Sequence, residues 1–167
     1  MSFESLGLPA ALARAVADSG YTQPTDVQLR AIPPAMAGSD LRVSSSTGSG
    51  KTAAFVLPAL TRVLAARGDA SKRRDNKTVH GPRVLVLTPT RELAMQVAKA
   101  TDSYGRHIPG LRVATIVGGV PYHAQLKALR GPLDVLIATP GRLMDHMANG
   151  KAVLANVEML VLDEADR

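Results

Sequence analysis

The chain has no cysteine and no tryptophan, and only two phenylalanines and three tyrosines. Without cysteine there is no disulfide, no thiolate nucleophile and no thiolate metal site, which suits a reducing compartment. So few aromatics speak against a surface that recognises nucleic-acid bases by stacking. With 46% apolar residues overall, they leave a core of Ala, Val and Leu, the texture of helices packed on a buried parallel sheet. No apolar run approaches the roughly 18 residues that a membrane span requires. The opening residues, with Glu4 among them, also lack the basic-then-apolar layout of a secretory signal. A soluble, cytoplasmic protein with no membrane partner is therefore expected. The four histidines, His80, His107, His123 and His146, show no metal-ligand spacing. Ser44, Ser45 and Ser46 have no His-Asp constellation near them for nucleophilic catalysis. Acidic residues are outnumbered, and the net charge of +6 favours a polyanionic partner, because Lys and Arg that neutralise phosphates release counterions.

A chain of 167 residues is sized for one domain that buries roughly 70% of its unfolded surface. Apolar spacing of three and four from Leu8 to Val16 predicts an amphipathic helix stopped by Gly20. Thr25 is the candidate N-cap of a short second helix, which Pro33-Pro34 should interrupt, a further helix then restarting and ending at Gly38. From Leu41 onward, short β-rich runs alternate with helical ones. The strand signals are Leu41–Ser44, Val84–Leu87, Val113–Val117, Val135–Ala138 and Met159–Leu162. Helical patterns cover Thr52–Ala66, Arg91–Tyr104, Tyr122–Arg130 and Arg142–Ala148. Strands alternating with helices predict an α/β domain with a doubly wound, mainly parallel sheet and helices on both faces. Residues 67–82, rich in Arg and Lys, read as a solvated surface loop in preference to a nucleic-acid-binding arm. Leu143, Met144 and Met147 sit at helical spacing, as core residues would.

The stretch Ser45-Ser46-Thr47-Gly48-Ser49-Gly50-Lys51-Thr52 lies between a strand signal and a helical one. It fits the phosphate-loop pattern G-x-x-x-x-G-K-[ST], with Ser45 in place of the first Gly. Small residues let several backbone N–H groups turn toward one anion, and the helix that follows adds its positive end. Lys51 then reaches the β- and γ-phosphates, and the Thr52 hydroxyl sits on Mg²⁺. Asp163-Glu164 closes the last apolar run. Asp163 can hold Mg²⁺, partly through water, and Glu164 can orient and deprotonate an attacking water. An acidic cluster in that place can equally be a helix N-cap. Every such motif falls at the carboxyl end of a strand, where open α/β sheets gather their ligands.

Asp163-Glu164-Ala165-Asp166 spells the motif that names the DEAD-box ATP-dependent RNA helicases, and nearly the whole chain resembles the first RecA-like domain of a bacterial-type member. Gly20-Tyr21-x-x-Pro24-Thr25-x-Val27-Gln28, with Phe3 seventeen residues upstream of Gly20, is similar to the family's adenine-reading Q motif. The resemblance implies that Gln28 pairs with the edge of adenine and Phe3 stacks on the base, with Tyr21 and Thr25 beside them. The alternative for Gln28 is a buried amide that satisfies a turn. Thr47, Gly48, Ser49, Gly50, Lys51 and Thr52 would bind ATP and Mg²⁺, with Lys51, Asp163 and Glu164 catalytic. Pro89, Thr90, Arg91, Gly118, Gly119, Thr139, Pro140, Gly141 and Arg142 resemble RNA-contacting motifs that hold a strand by its sugar-phosphate backbone, which carries little sequence information.

The resemblance divides the chain into a helical segment with the Q motif, residues 1–40, and a partial RecA-like domain, residues 41–167, with the family's second RecA-like domain absent. A chain cut at this point is expected not to unwind RNA by itself, because the arginine finger lies in that second domain. In RecA-like folds a later strand inserts between the Asp-Glu strand and the phosphate-loop strand, so a gap is expected here, filled by a partner strand or partner chain. Two other readings stand beside the helicase: a non-catalytic, nucleotide-gated RNA clamp, against which Glu164 argues, and an unrelated DNA-directed phosphate-loop NTPase, against which Gln28 and Thr139–Arg142 argue.

Overall fold

The computed structural model describes residues 3–20, 23–43, 50–67, 81–118, 121, 123–125, 129, 133–148, 154 and 157–163. After a short 3-10 turn at Glu4–Leu6, the elements are α1 (Ala10–Asp18), α2 (Asp26–Met36), β1 (Leu41–Val43), α3 (Lys51–Arg67), β2 (Val84–Leu87), α4 (Arg91–Tyr104), β3 (Val113–Ile116), β4 (Val135–Ala138), α5 (Pro140–Ala148) and β5 (Met159–Asp163). The strands form one parallel sheet in the order β1-β5-β2-β4-β3. The expected surface loop lies largely outside the described residues, of which only its edges, Arg67, Gly81 and Pro82, are part.

Alternation along each strand divides the apolar residues between two faces. Val84 and Val86 of β2, Val135 and Ile137 of β4, and Met159 and Val161 of β5 pack with Leu12, Val16, Ile32, Phe55, Leu60, Val63, Val97 and Tyr104 from α1 to α4. Leu85, Ala114, Ile116, Leu136 and Ala138 point the other way and pack with Leu129, Leu133 and Leu143. Both faces are covered, as the continuous apolar runs of β2 and β4 require. Phe55 is fully buried, a burial that contributes about 1.5–3 kcal/mol.

Three sequence expectations are corrected. The first is the gap beside β5, which does not exist. Leu41 lies opposite Val161, Arg42 opposite Leu162 and Val43 opposite Asp163, so β1 ladders directly onto β5 and no partner strand or chain is needed there. Direct pairing satisfies the rows of N–H and C=O groups that an open slot would leave orphaned. Asp40 extends the tie, its Oδ1 accepting from Leu160 N at 2.8 Å.

Second, α2 is not interrupted at Pro33-Pro34 but runs through both prolines to Met36. Both are exposed, on the side of the helix away from buried Ile32 and Ala35, so their missing donors fall on the solvent face. Third, Met144 and Met147 are not core residues, at 67% and 46% exposure, whereas Leu143 is buried. One helical face of α5 is buried through Leu143 and His146, and the two methionines lie outside it.

Candidate functional site

Parallel strands place all their carboxyl ends along one edge, and the motif residues collect there. β1 leads toward Gly50–Thr52, β5 ends on Asp163, β2 runs into Thr88–Arg91, β3 into Gly118 and β4 into Thr139–Arg142. Hydrogen bonds past the strand ends keep three of these turns in step. Thr88 N donates to Ala138 O at 3.0 Å, and Thr139 N donates to Ile116 O at 3.1 Å.

The head of α3 is clasped by the start of α2. Thr25 caps α2 in a capping box: its Oγ1 accepts from Gln28 N, and Gln28 Oε1 accepts from Thr25 N at 2.9 Å. The other end of the same amide, Gln28 Nε2, donates to Gly50 O at 3.1 Å, and that carbonyl also accepts from Ala54 N in the first turn of α3. Gly50 itself has φ +83°, and a Cβ built there would lie 2.4 Å from Gln28 Nε2 and 2.8 Å from Thr25 Oγ1. Only glycine fits both the backbone conformation and the space. Gln28 is 1% exposed, so the structure displays the buried, turn-satisfying role that the sequence also allowed it. Phe3 is packed in the core cluster with Leu8 and Leu12, away from solvent.

Lys51, the first residue of α3, and Asp163, the last of β5, form an ion pair with Nζ–Oδ1 at 2.9 Å. Their side chains are 9% and 2% exposed, so the pair is largely shielded from water and weakly screened by salt. Thr52 follows in the same turn and is half-buried. The remaining calls on this side of the edge, Tyr21, Thr47, Gly48, Ser49 and Glu164, lie outside the described residues.

On the other side of the edge, Thr90 caps α4, its Oγ1 accepting from Leu93 N at 3.2 Å, and Thr88 Oγ1 donates to Thr90 O. Pro89, Thr90, Arg91, Gly118, Pro140 and Gly141 are exposed, and Thr139 and Arg142 are half-buried. Gly119 lies outside the described residues. Two residues of this region carry more than the sequence reading gave them, Gln125 and His146. Gln125, 2% exposed, donates from Nε2 to Val117 O at 2.6 Å, and its Oε1 accepts from His146 Nε2 at 2.9 Å and from Arg142 Nη1 at 3.4 Å. The Val117 carbonyl fixes which end of the amide is which, so the network assigns the proton of a neutral His146 to Nε2. His146 is fully buried. Burial first, and then the nearby Arg142 charge, hold its imidazole below the usual histidine pKa, with Asp145 opposing. The sequence marked His146 only as a histidine without metal-ligand spacing, and no spacing marks Gln125.

Among the described residues, no cluster of three or more His, Asp or Glu is arranged to hold a metal ion. No helix among them is long and apolar enough to cross a membrane.

Comparison with known proteins bears on this edge directly. A family model described as DEAD/DEAH box helicase matches residues 25–167. The chain is 45% identical, over 99% of its length, to the DEAD-box ATP-dependent RNA helicase 52A of Oryza sativa subsp. japonica. It is 41% identical to the ATP-dependent RNA helicase DeaD of Klebsiella pneumoniae and 42% identical to that of Mycobacterium tuberculosis, again over 99% of its length. The matched regions make up 28%, 24% and 27% of those proteins, so the chain spans about a quarter of the length of the curated relatives it matches.

Proposed function

The chain belongs to the DEAD/DEAH box helicase family, and from that membership we propose that it is the ATP- and RNA-binding part of an ATP-dependent RNA helicase. The observation that carries the reading is the Lys51–Asp163 pair, which joins the head of α3 to the end of β5 at the sheet edge. A lysine at a helix N-terminus offers a triphosphate both a point charge and the positive end of the helix. On this reading Lys51 exchanges its contact with Asp163 for the phosphates. Gly50 keeps its carbonyl tied to Gln28, so the first turn of α3 stays fixed while the anion binds.

The donor set fits Mg²⁺, a hard ion that takes one or two protein oxygens and completes its shell with water and phosphate. The Thr52 hydroxyl and the Asp163 carboxylate would supply those protein oxygens. When bound, the ion neutralises phosphate charge. Glu164, next in sequence after Asp163, accepts the proton of the water that attacks the terminal phosphorus as the bond to the bridging oxygen breaks, giving ADP and phosphate. Thr25 and Gln28 stand beside Gly50 and are proposed to select adenine.

Across the edge, Arg91 and Arg142, together with the helix starts at Thr90 and Thr139, offer cationic and N–H donors to an RNA backbone. The test is ATP turnover by the protein at its natural length, with single-stranded RNA, with DNA of the same sequence, and with neither. RNA-stimulated turnover that Lys51→Ala abolishes is the expected result. Turnover equally stimulated by DNA, or unaffected by Lys51→Ala, overturns the proposal.

A further inference from the structure

We propose that Gln125 is a positioning residue that locks Arg142 and the end of β3 into one frame, so that the β3 and β4 turns meet an RNA backbone as a unit. The inference rests on the proposed role of Arg142 in RNA binding and adds a residue that does not itself touch RNA. Gln125 is 2% exposed, which keeps it from the ligand, yet its amide spans the two turns. Nε2 holds Val117 O, one residue before exposed Gly118, while Oε1 accepts from Arg142 Nη1, two residues after exposed Pro140.

The chemistry of the junction restricts what can stand there. One group must donate to a carbonyl on one side and accept from a guanidinium and an imidazole N–H on the other. Glutamate has no donor for Val117 O at 2.6 Å, and an apolar residue leaves a buried carbonyl and a buried imidazole N–H to find other partners. His146 completes the frame from behind. It is fully buried on α5, one turn beyond Arg142, and its Nε2–H fixes Oε1 on the side that Arg142 reaches. An arginine anchored at one Nη loses fewer rotamers when it meets a phosphate than a free one does.

A double-mutant cycle tests this on the protein at its natural length, with a fluorescein-labelled oligouridylate and anisotropy as readout. Gln125→Met keeps the side-chain length and removes all three hydrogen bonds of the amide. Gln125→Asn keeps a buried amide that cannot span the two turns and serves if the first variant folds poorly. Either is expected to weaken RNA binding about tenfold, within the range of coupling seen between contacting residues, and to lower the salt slope by about one phosphate contact. Binding of a fluorescent ATP analogue stays unchanged. In the Arg142→Ala background the same substitutions cause no further loss of RNA affinity, although they still lower the melting temperature. Losses that multiply in the double mutant, or wild-type RNA affinity in both Gln125 variants while Arg142→Ala is impaired, overturn the inference and leave the RNA-binding reading standing. Wild-type affinity in Arg142→Ala overturns the assigned role of Arg142, and the inference with it.

Discussion

Replacing Gly50 by alanine puts a number on the clasp between α2 and α3. Gly50 has φ +83°, a conformation that costs an L-residue about 1–2 kcal/mol. The added Cβ would also stand 2.4 Å from Gln28 Nε2 and 2.8 Å from Thr25 Oγ1, so Gln28 has to retreat and give up its bond to Gly50 O. A buried amide that loses its partner costs about 1–3 kcal/mol more. Together these come to about 2–5 kcal/mol, which for a chain of this size lowers the melting temperature by roughly 5–15 °C. Gly20 supplies the control, with φ +86° and nothing within 4 Å of a built Cβ. Gly20→Ala therefore carries the conformational cost alone, about 1–2 kcal/mol. Thermal melts followed by circular dichroism measure both. Equal losses in the two variants would refute the claim that Gln28 and Thr25 crowd position 50, and no loss in either would refute the backbone argument as well.

Lys51→Ala removes the cation from a carboxylate that is 2% exposed and is expected to cost about 3–5 kcal/mol in urea titration. Lys51→Ala/Asp163→Ala should recover part of that, and a single-mutant cost under about 1 kcal/mol would mean the pair is screened as a surface pair is. His146 sets a pH dependence. Its folded pKa lies below the unfolded value of about 6.5, so the unfolded state takes up the proton first and stability falls as pH drops below that value. The slope reaches at most about 1.4 kcal/mol per pH unit until the folded pKa is passed. His146→Gln should flatten this limb, and an unchanged slope in that variant would assign it to other groups. The exposed Asp18–His107 contact at 2.8 Å acts at lower pH. The hydrogen bond from His107 lowers the Asp18 pKa, so its contribution is present above about pH 3.9 and is lost as pH falls through the lower folded value. Acid titration of His107→Ala should show a shallower loss than the parent.

The elements most legible in the sequence are those with local punctuation. Helix α4 runs from Arg91 to Tyr104 as expected, because Pro89 and Thr90 mark its start chemically and Gly105 its end. Strands β2 and β4 stand where the uninterrupted runs Val84–Leu87 and Val135–Ala138 put them. The convergence of motifs on one sheet edge was equally readable, since parallel strands leave no other arrangement of their carboxyl ends. Besides the pairing of β1 with β5, three features were not legible, each because it is decided by distant residues. Pro33-Pro34 looks like a break, but α2 keeps its line because Ile32 and Ala35 are buried on its opposite side. Met144 and Met147 have the spacing of Leu143 and lack its burial, because periodicity does not say how wide the covered face is. Gln125 has no periodic or motif signature at all. Its meaning comes from Val117, Arg142 and His146 meeting around it.

The pairing of β1 with β5 changes how the proposed nucleotide edge is held. Asp163 is where two constraints meet: its backbone lies opposite Val43 in the ladder, and its carboxylate holds Lys51. The chain therefore leaves the sheet at Val43 and enters α3 at Lys51 with both points referred to one residue of β5. Gln28 adds a third, independent fix at Gly50 from the opposite side. A lysine held between a helix head and a buried carboxylate has little rotameric freedom left to lose when an anion replaces the carboxylate. The same arrangement sets a competition, because an anion that takes Lys51 draws a cation away from the Asp163 carboxylate. A divalent ion held by Asp163 would offset that loss, whereas a phosphate alone would not. On the proposed reading, nucleotide and Mg²⁺ would bind as one event. Nucleotide affinity measured with and without Mg²⁺ should then differ far less in Asp163→Asn, which has no carboxylate charge, than in the parent chain. An equal Mg²⁺ dependence in the two would separate Asp163 from the metal.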